Sequence, residues 1–376
     1  MSKPIAIIHF QSLEQYPPVM NLIDYLANYY SKIRVEVITT YNMLEGISQF
    51  DSCSGKINVN RFGKFGKDKG SIERALNYMH FYLATLIKLI LIRPKKILYF
   101  ETLSSYPVYI YTKIFNRKAE VLIHYHEYTS PDEYTSGMKL VRYFHKKESC
   151  LFKHAVWISH TNSERMNMFI RDEGLKGMEE KFKILPNYPP RSWFHTPDRI
   201  FRKPLKLVYV GALSLDTMYG KELFNWVEGN NGNITLDIFS HNIADDAMQY
   251  LKHLDSAFIH YDNKGINYFL LPNILKKYQV GVILYNGHIP NYKYNAPNKL
   301  FEYLACGLDV WFSKDIIGCY PYITDATYPK VCKVDFNKLN EIDCAVISGD
   351  RGELMLTEYF CESVFPNICD KLTNNI

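Results

Sequence analysis

A chain of 376 residues exceeds one ordinary hydrophobic core and suits two domains of about 150–200 residues each. Its 47% hydrophobic and 22% charged residues exclude a disordered chain, and a net charge of +5 is too small to signal nucleic-acid binding. The eight cysteines form no CxxC pair and no Cys/His zinc spacing, so reduced thiols in a cytoplasmic protein are expected, with no metal and no nucleic-acid partner.

The N-terminus runs straight into an apolar strand, Ile5–Phe10. Further predicted strands of the first half are Val35–Thr39, Ile57–Phe62, Ile97–Phe100, Val121–His126, Ala155–Ser159 and Phe182–Leu185. Helical periodicity falls between them, at Val19–Tyr30 and Ile72–Ile92. Runs such as ILYF and VLIHY are apolar throughout, as strands covered on both faces are. The apolar run His80–Ile92 has 13 residues and carries Lys88, short of the roughly 20 needed to span a bilayer. A buried or interfacial helix is expected there.

Pro186, Pro189, Pro190, Pro197 and Pro204 then crowd a polar stretch that excludes regular structure, predicting a linker at 191–204. The alternation restarts with Leu205–Val210, Thr235–Phe239, Phe258–His260, Val280–Leu284, Val310–Phe312 and Val331–Val334, and a final helix is expected over Glu358–Leu372. The fold class is therefore α/β, with two Rossmann-like, doubly wound parallel-sheet domains facing across a cleft, at 1–190 and 205–357. In such sheets ligands bind beyond the carboxyl ends of the strands, which is where functional residues are sought.

Several common motifs are absent. Gly63–Gly70 is rich in glycine and lysine but lacks the spacing of a phosphate-binding P-loop. No GxGxxG follows a strand, and neither HExxH, GxSxG nor Asp-x-Asp occurs.

The informative tract is Tyr294-Asn-Ala-Pro297-Asn298-Lys299-Leu-Phe-Glu302-Tyr-Leu-Ala-Cys-Gly307. It reads as a loop closed by Pro297 at the first helical position, then a short helix stopped by Gly307. A helix N-terminus suits a diphosphate, and Lys299 adds a mobile cation in the first turn. Glu302 lies one turn on, on the same face, where it can accept hydrogen bonds from ribose hydroxyls.

This tract resembles the donor-site signature of GT-B glycosyltransferases of the group 1, or family 4, type. The resemblance implies the GT-B fold, with Glu302 on the ribose of a UDP- or GDP-sugar, Lys299 on its phosphates and Asn298 beside them. Leu207–Leu213 resembles the opening strand of the donor domain, whose Gly211 turn lets backbone approach phosphate. Ile184-Leu-Pro-Asn187 resembles the segment that closes the first domain. A last helix within 358–376 would cross back to that domain. Lys221, in a loop after Gly211, stands where related enzymes carry a basic residue. One departure is Tyr294, which occupies the place of a glutamate that touches the donor sugar in many retaining members.

Acid–base groups are expected at strand ends of the first domain. By the resemblance, His126 contacts the donor sugar or phosphate. Glu127 is the candidate base, Glu101 its alternative at an equivalent strand end, and His9 a residue near the acceptor. The expected reaction is metal-independent transfer of a hexose-type sugar to a glycan or polyprenyl-linked glycan for a surface polysaccharide. The alternatives are a nucleotide-sugar 2-epimerase of the same fold and a catalytically silent sugar-nucleotide binder. Three basic clusters in the first half, Arg61/Lys64/Lys67/Lys69, Arg93/Lys95/Lys96 and Lys146/Lys147, adjoin Phe62, Phe65 and the apolar helix. They point to peripheral contact with an anionic inner membrane face.

Overall fold

The computed structural model describes residues 3–52, 54–66, 70–196, 203–324, 327–342, 353–354 and 358–374. Two compact units divide the chain. Unit 1 comprises Met1–Asn187 with Cys361–Ile376, and unit 2 comprises Tyr188–Phe360.

Unit 1 is built on seven parallel strands: β1 (Ile5–His9), β2 (Val35–Tyr41), β3 (Ile57–Lys64), β4 (Lys96–Phe100), β5 (Glu120–Tyr125), β6 (Trp157–His160) and β7 (Phe182–Ile184). They lie in the order β3-β2-β1-β4-β5-β6-β7. β1 and β4 are buried at every residue, which is why they read as unbroken apolar runs. The order reverses between β1 and β4, so the ligand crevice of this sheet is expected past His9 and Phe100.

The helix Cys361–Thr373 belongs to unit 1. It packs Phe365 on Tyr25 at 5.6 Å between ring centroids, and its Asp370 accepts a 2.7 Å hydrogen bond from Tyr30. The Lys371 carbonyl accepts from Lys96 Nζ at 2.6 Å.

Unit 2 repeats the plan with β8 (Leu205–Val210), β9 (Ile234–Phe239), β10 (Ile259–Asp262), β11 (Val280–Ile283) and β12 (Asp309–Ser313). A short pair, β13 (Thr327–Tyr328) with β15 (Glu353–Leu354), stands outside the sheet, and β14 (Val331–Val334) completes it in the order β10-β9-β8-β11-β12-β14. The reversal here lies between β8 and β11.

The segment expected to be a linker, 191–204, is packed as far as it is described. Trp193 is buried, with its ring 4.6 Å from Tyr268, and the His195 N–H donates to the Ala305 carbonyl. Proline excludes regular hydrogen bonding but not aromatic burial, so the division falls after Asn187. Residues 197–202 lie outside the described residues.

One member of the expected basic clusters and one lysine of the long helix turn inward. Arg61 is an inner residue, paired to Glu14 at 2.7 Å with both side chains under 10% exposed. Lys88 turns inward to Glu36 at 2.9 Å. Burial opposes the charge on Glu36, but hydrogen bonds from Lys88, Asn58, Asn60 and Arg34 bring its pKa down to about 2. Lys67 and Lys69 lie outside the described residues.

Candidate functional site

In unit 2 the pairing of β8 with β11 stops at Val208 and Gly281. The helix Asn298–Ala305 is anchored over this opening by Tyr303. Its ring occupies the space where a Cβ on Gly281 would lie, 2.2 Å from Cδ2, so only glycine permits the packing. Its hydroxyl accepts a 3.1 Å hydrogen bond from the Val210 N–H, which the sheet leaves over at that point.

The helix ends as the sequence suggests. Leu308 N–H bonds the Tyr303 carbonyl and Gly307 N–H the Leu304 carbonyl, with Gly307 at φ 80°, a Schellman motif. Its start differs by one position: Pro297 is extended (φ −70°, ψ 152°) and serves as the N-cap, so Asn298 is the first helical residue. Proline has no side-chain acceptor, so the N-cap residue itself supplies no capping hydrogen bond.

The paired residues of the tract meet directly. Lys299 Nζ lies 2.5 Å from Glu302 Oε2; the Glu302 side chain is 1% exposed and that of Lys299 23%. A carboxylate buried this deeply requires a cationic partner, and the (i, i+3) spacing supplies it. Asn298 sits half-buried at the head of the same turn.

Tyr294 ends the helical turn Pro290–Lys293, half-buried, with Lys293 Nζ 5.8 Å from its ring centroid. The place of a carboxylate in the resembled enzymes is thus taken by an aromatic ring with a cation over it. Its loop is braced from below by Gly318, where a Cβ would come within 2.4 Å of the Asn295 carbonyl oxygen.

Gly211 follows β8 at φ 144°, a conformation that favours glycine, but its own N–H is already bonded to the Phe239 carbonyl. Lys221 is not in a loop. It is the second residue of the helix Gly220–Gly229, exposed, with its ammonium 5.8 Å from the Tyr250 ring.

A neighbouring group at the ends of β11 and β12 carries no local sequence signal. The Tyr219 N–H bonds the Leu284 carbonyl, and its hydroxyl donates to Asp315 at 2.7 Å. Ser313 adds a 3.3 Å hydrogen bond to the same carboxylate oxygen.

In unit 1 the strand ends gather Glu101, His126, His9 and Tyr16. Glu101 follows β4 at φ 61°, unusual for a residue with a side chain. Its Oε1 accepts a 2.6 Å hydrogen bond from the His126 N–H. Burial, and after it the charge of Glu127, push the Glu101 carboxyl up to about 8, against the pull of the His126 and Glu127 amides. Glu127 itself is exposed at the surface of the loop.

His126 stacks on Phe100 at 5.2 Å and 3° and places Nδ1 3.1 Å from Asn187 Oδ1 and 3.3 Å from His124 Nε2. His9 donates from Nδ1 to the Gln11 carbonyl at 2.7 Å. Burial lowers the pKa of His9 to about 4 and of His124 to about 3, and holds His126 well below the usual histidine value. All three are neutral imidazoles at neutral pH. With Nδ1 of His9 and His126 facing carbonyl-type oxygens, their Nε2 atoms are the acceptors, and both are buried without a partner. A substrate hydroxyl is the kind of donor such atoms accept.

Two parallel sheets with the same reversing strand order, each covered by helices, make this a GT-B fold. No family model and no curated protein matches the sequence. Among solved structures, the chain is similar to the apo form of the lipopolysaccharide outer core galactosyltransferase WaaB (TM-score 0.61, 15% identity, 99% of this chain and 100% of that one). It is similar to sucrose-phosphate synthase from Thermosynechococcus elongatus (TM-score 0.69, 15% identity, 98% of each chain). It is also similar to UDP-GlcNAc 2-epimerase from Neisseria meningitidis bound to UDP-GlcNAc (TM-score 0.58, 11% identity, 100% of each chain). At these identities the likeness defines the fold.

Proposed function

We propose that this protein is a glycosyltransferase of the group 1, or family 4, type. It takes a hexose-type sugar from a UDP- or GDP-sugar to a glycan or polyprenyl-linked glycan acceptor, in the cytoplasm, for a surface polysaccharide. The observation that carries the proposal is the Lys299–Glu302 pair in the first turns of a proline-started helix at the switch point of unit 2. Such a pair presents a cation to a diphosphate and a carboxylate to the ribose.

In this reading Lys299 and the helix N-terminus stabilise the leaving diphosphate without a metal. Gly211 and Asn298 border the donor. Lys221 stays a candidate for the leaving group only if its side chain turns from Tyr250. Tyr294, lacking a carboxylate, contributes ring contact and the Lys293 charge to the sugar. Glu101 is the better placed base, since a pKa of about 8 lies near the operating pH, raised there by burial and then by the charge of Glu127. The buried Nε2 acceptors of His9 and His126 hold sugar or acceptor hydroxyls.

The test is a thermal-shift and calorimetric screen of UDP, GDP, CMP and their sugar conjugates, repeated on Glu302→Ala. One nucleotide should stabilise the protein, and the variant should bind it about 1–3 kcal/mol more weakly through loss of charged hydrogen bonds. Unchanged affinity removes the donor reading.

The 2-epimerase reading is favoured by one observation, the likeness to UDP-GlcNAc 2-epimerase. Incubation with UDP-GlcNAc and no acceptor separates the two: an epimerase yields the C2 epimer, a transferase only slow hydrolysis. A silent sugar-nucleotide binder, the reading that Tyr294 keeps open, yields neither.

A further inference from the structure

The helix Ser71–Ile92 has two unlike faces. Phe81, Thr85 and Leu89 are buried on unit 1, and Lys88 turns to the same side, its charge met by Glu36. On the other face Ile72, Leu76, Met79, Leu83, Ile87 and Leu91 are each 54% to 80% exposed. Steps of three and four residues align these six into one stripe, about 29 Å long at the helical rise. The helix is long and apolar enough to span a bilayer, with only 17% of its most apolar window buried, yet its packed face ties it to unit 1. A helix held along one side can lie on a membrane but cannot enter it lengthwise.

Cations outnumber anions around the stripe, whose first turn carries the exposed Glu73 beside the exposed Arg74. Between Arg74 and Ala119 the only acidic residue is Glu101, at the far strand end of β4, while Arg93, Lys95, Lys113, Arg117 and Lys118 are exposed. At the carboxyl end of the helix, Lys3 and Arg93 line a depression of about 370 Å³ together with Ile90, Tyr111 and Phe115. That combination suits a phosphate head group above an acyl chain.

We infer that this face docks on an anionic phospholipid bilayer, with the stripe in the head-group layer and the exposed lysines and arginines against the lipid phosphates. A second copy of the chain would satisfy the apolar stripe but would bring two net-positive faces together. The anionic bilayer satisfies both. The inference stands on unit 1 alone and does not depend on the transferase reading.

The experiment is vesicle flotation of the full chain with neutral phosphatidylcholine and with vesicles containing phosphatidylglycerol, at low and high salt. Binding should require the anionic lipid and weaken with salt. Leu83→Gln/Ile87→Gln and, separately, Arg93→Glu/Lys118→Glu should each weaken it at least tenfold, while melting temperature and nucleotide affinity stay unchanged. No flotation, or equal flotation with neutral vesicles, overturns the inference. So does a dimer in sedimentation velocity that Leu83→Gln/Ile87→Gln dissociates, since the occupant is then a second copy.

Discussion

Replacing Glu101 by Gln should flatten the dependence of stability on pH above neutrality. In the unfolded chain this carboxyl titrates near 4.5, and in the folded protein at about 8. Between those values the folded state keeps a proton that the unfolded state has released, so stability is greatest below 4.5 and drains away as pH rises toward 8. Each pH unit in that window is worth about 1.4 kcal/mol. Raising the pH from 6 to 9 should therefore cost the wild type about 2–3 kcal/mol through this group alone, with no further loss once it is ionised. Gln cannot ionise and retains an oxygen for the His126 N–H. Urea melts of both proteins at pH 6, 7, 8 and 9 measure the difference, in which the other titrating groups cancel. His145, whose pKa is raised to about 9 by Glu148 and Glu173 against its burial, is common to both. A gain from the substitution that does not grow with pH would mean that Glu101 is ionised throughout, and its assignment as the base would fall.

Gly281→Ala should drive a methyl into the Tyr303 ring and lift the helix Asn298–Ala305, costing about 1–3 kcal/mol in urea melts and, on the proposed reading, weakening nucleotide binding in parallel. Intact nucleotide affinity in the variant would show that the helix does not depend on that contact. His160, stacked on Tyr125 with neither ring nitrogen partnered, has its pKa lowered to about 3 by burial and then by Arg165. Its stability contribution is lost as pH falls below 6.5, so His160→Phe should spare about 2–3 kcal/mol between pH 6 and 4. Equal acid sensitivity of the two proteins would contradict a buried neutral imidazole.

The sheets were legible chiefly through strands buried at every residue, such as β1, β4, β11 and β12. Leu205–Val210 and Val331–Val334 lie where the apolar runs place them, and the ends of the others shift by one or two residues. Val121–His126, for example, ends one residue earlier, leaving His126 just past the strand. The helix Asn298–Ala305 was legible through Pro297, Gly307 and the three-residue spacing of Lys299 and Glu302. What stayed hidden depends on tertiary proximity. Nothing in the local sequence shows that Glu36 would draw Lys88 inward, or that Glu14 would take Arg61 out of a basic cluster. The Tyr219–Asp315 hydrogen bond joins residues 96 positions apart. The pKa of Glu101 arises from burial and from Glu127, on another strand end, and Lys221 followed a helix start that no capping residue announces.

The discontinuity of unit 1 bears on how the molecule is made. Unit 2 is one unbroken stretch, Tyr188–Phe360, and every residue it requires has been translated before Cys361 is added. Unit 1 begins first and finishes last, because Phe365, Ile368 and Leu372 belong to its interior. On the ribosome, the earlier-synthesised unit must therefore wait, one apolar side uncovered, until the whole of the later one has emerged. A chain released short of Cys361 should thus hold a finished unit 2 beside a unit 1 that chaperones and proteases still recognise as incomplete.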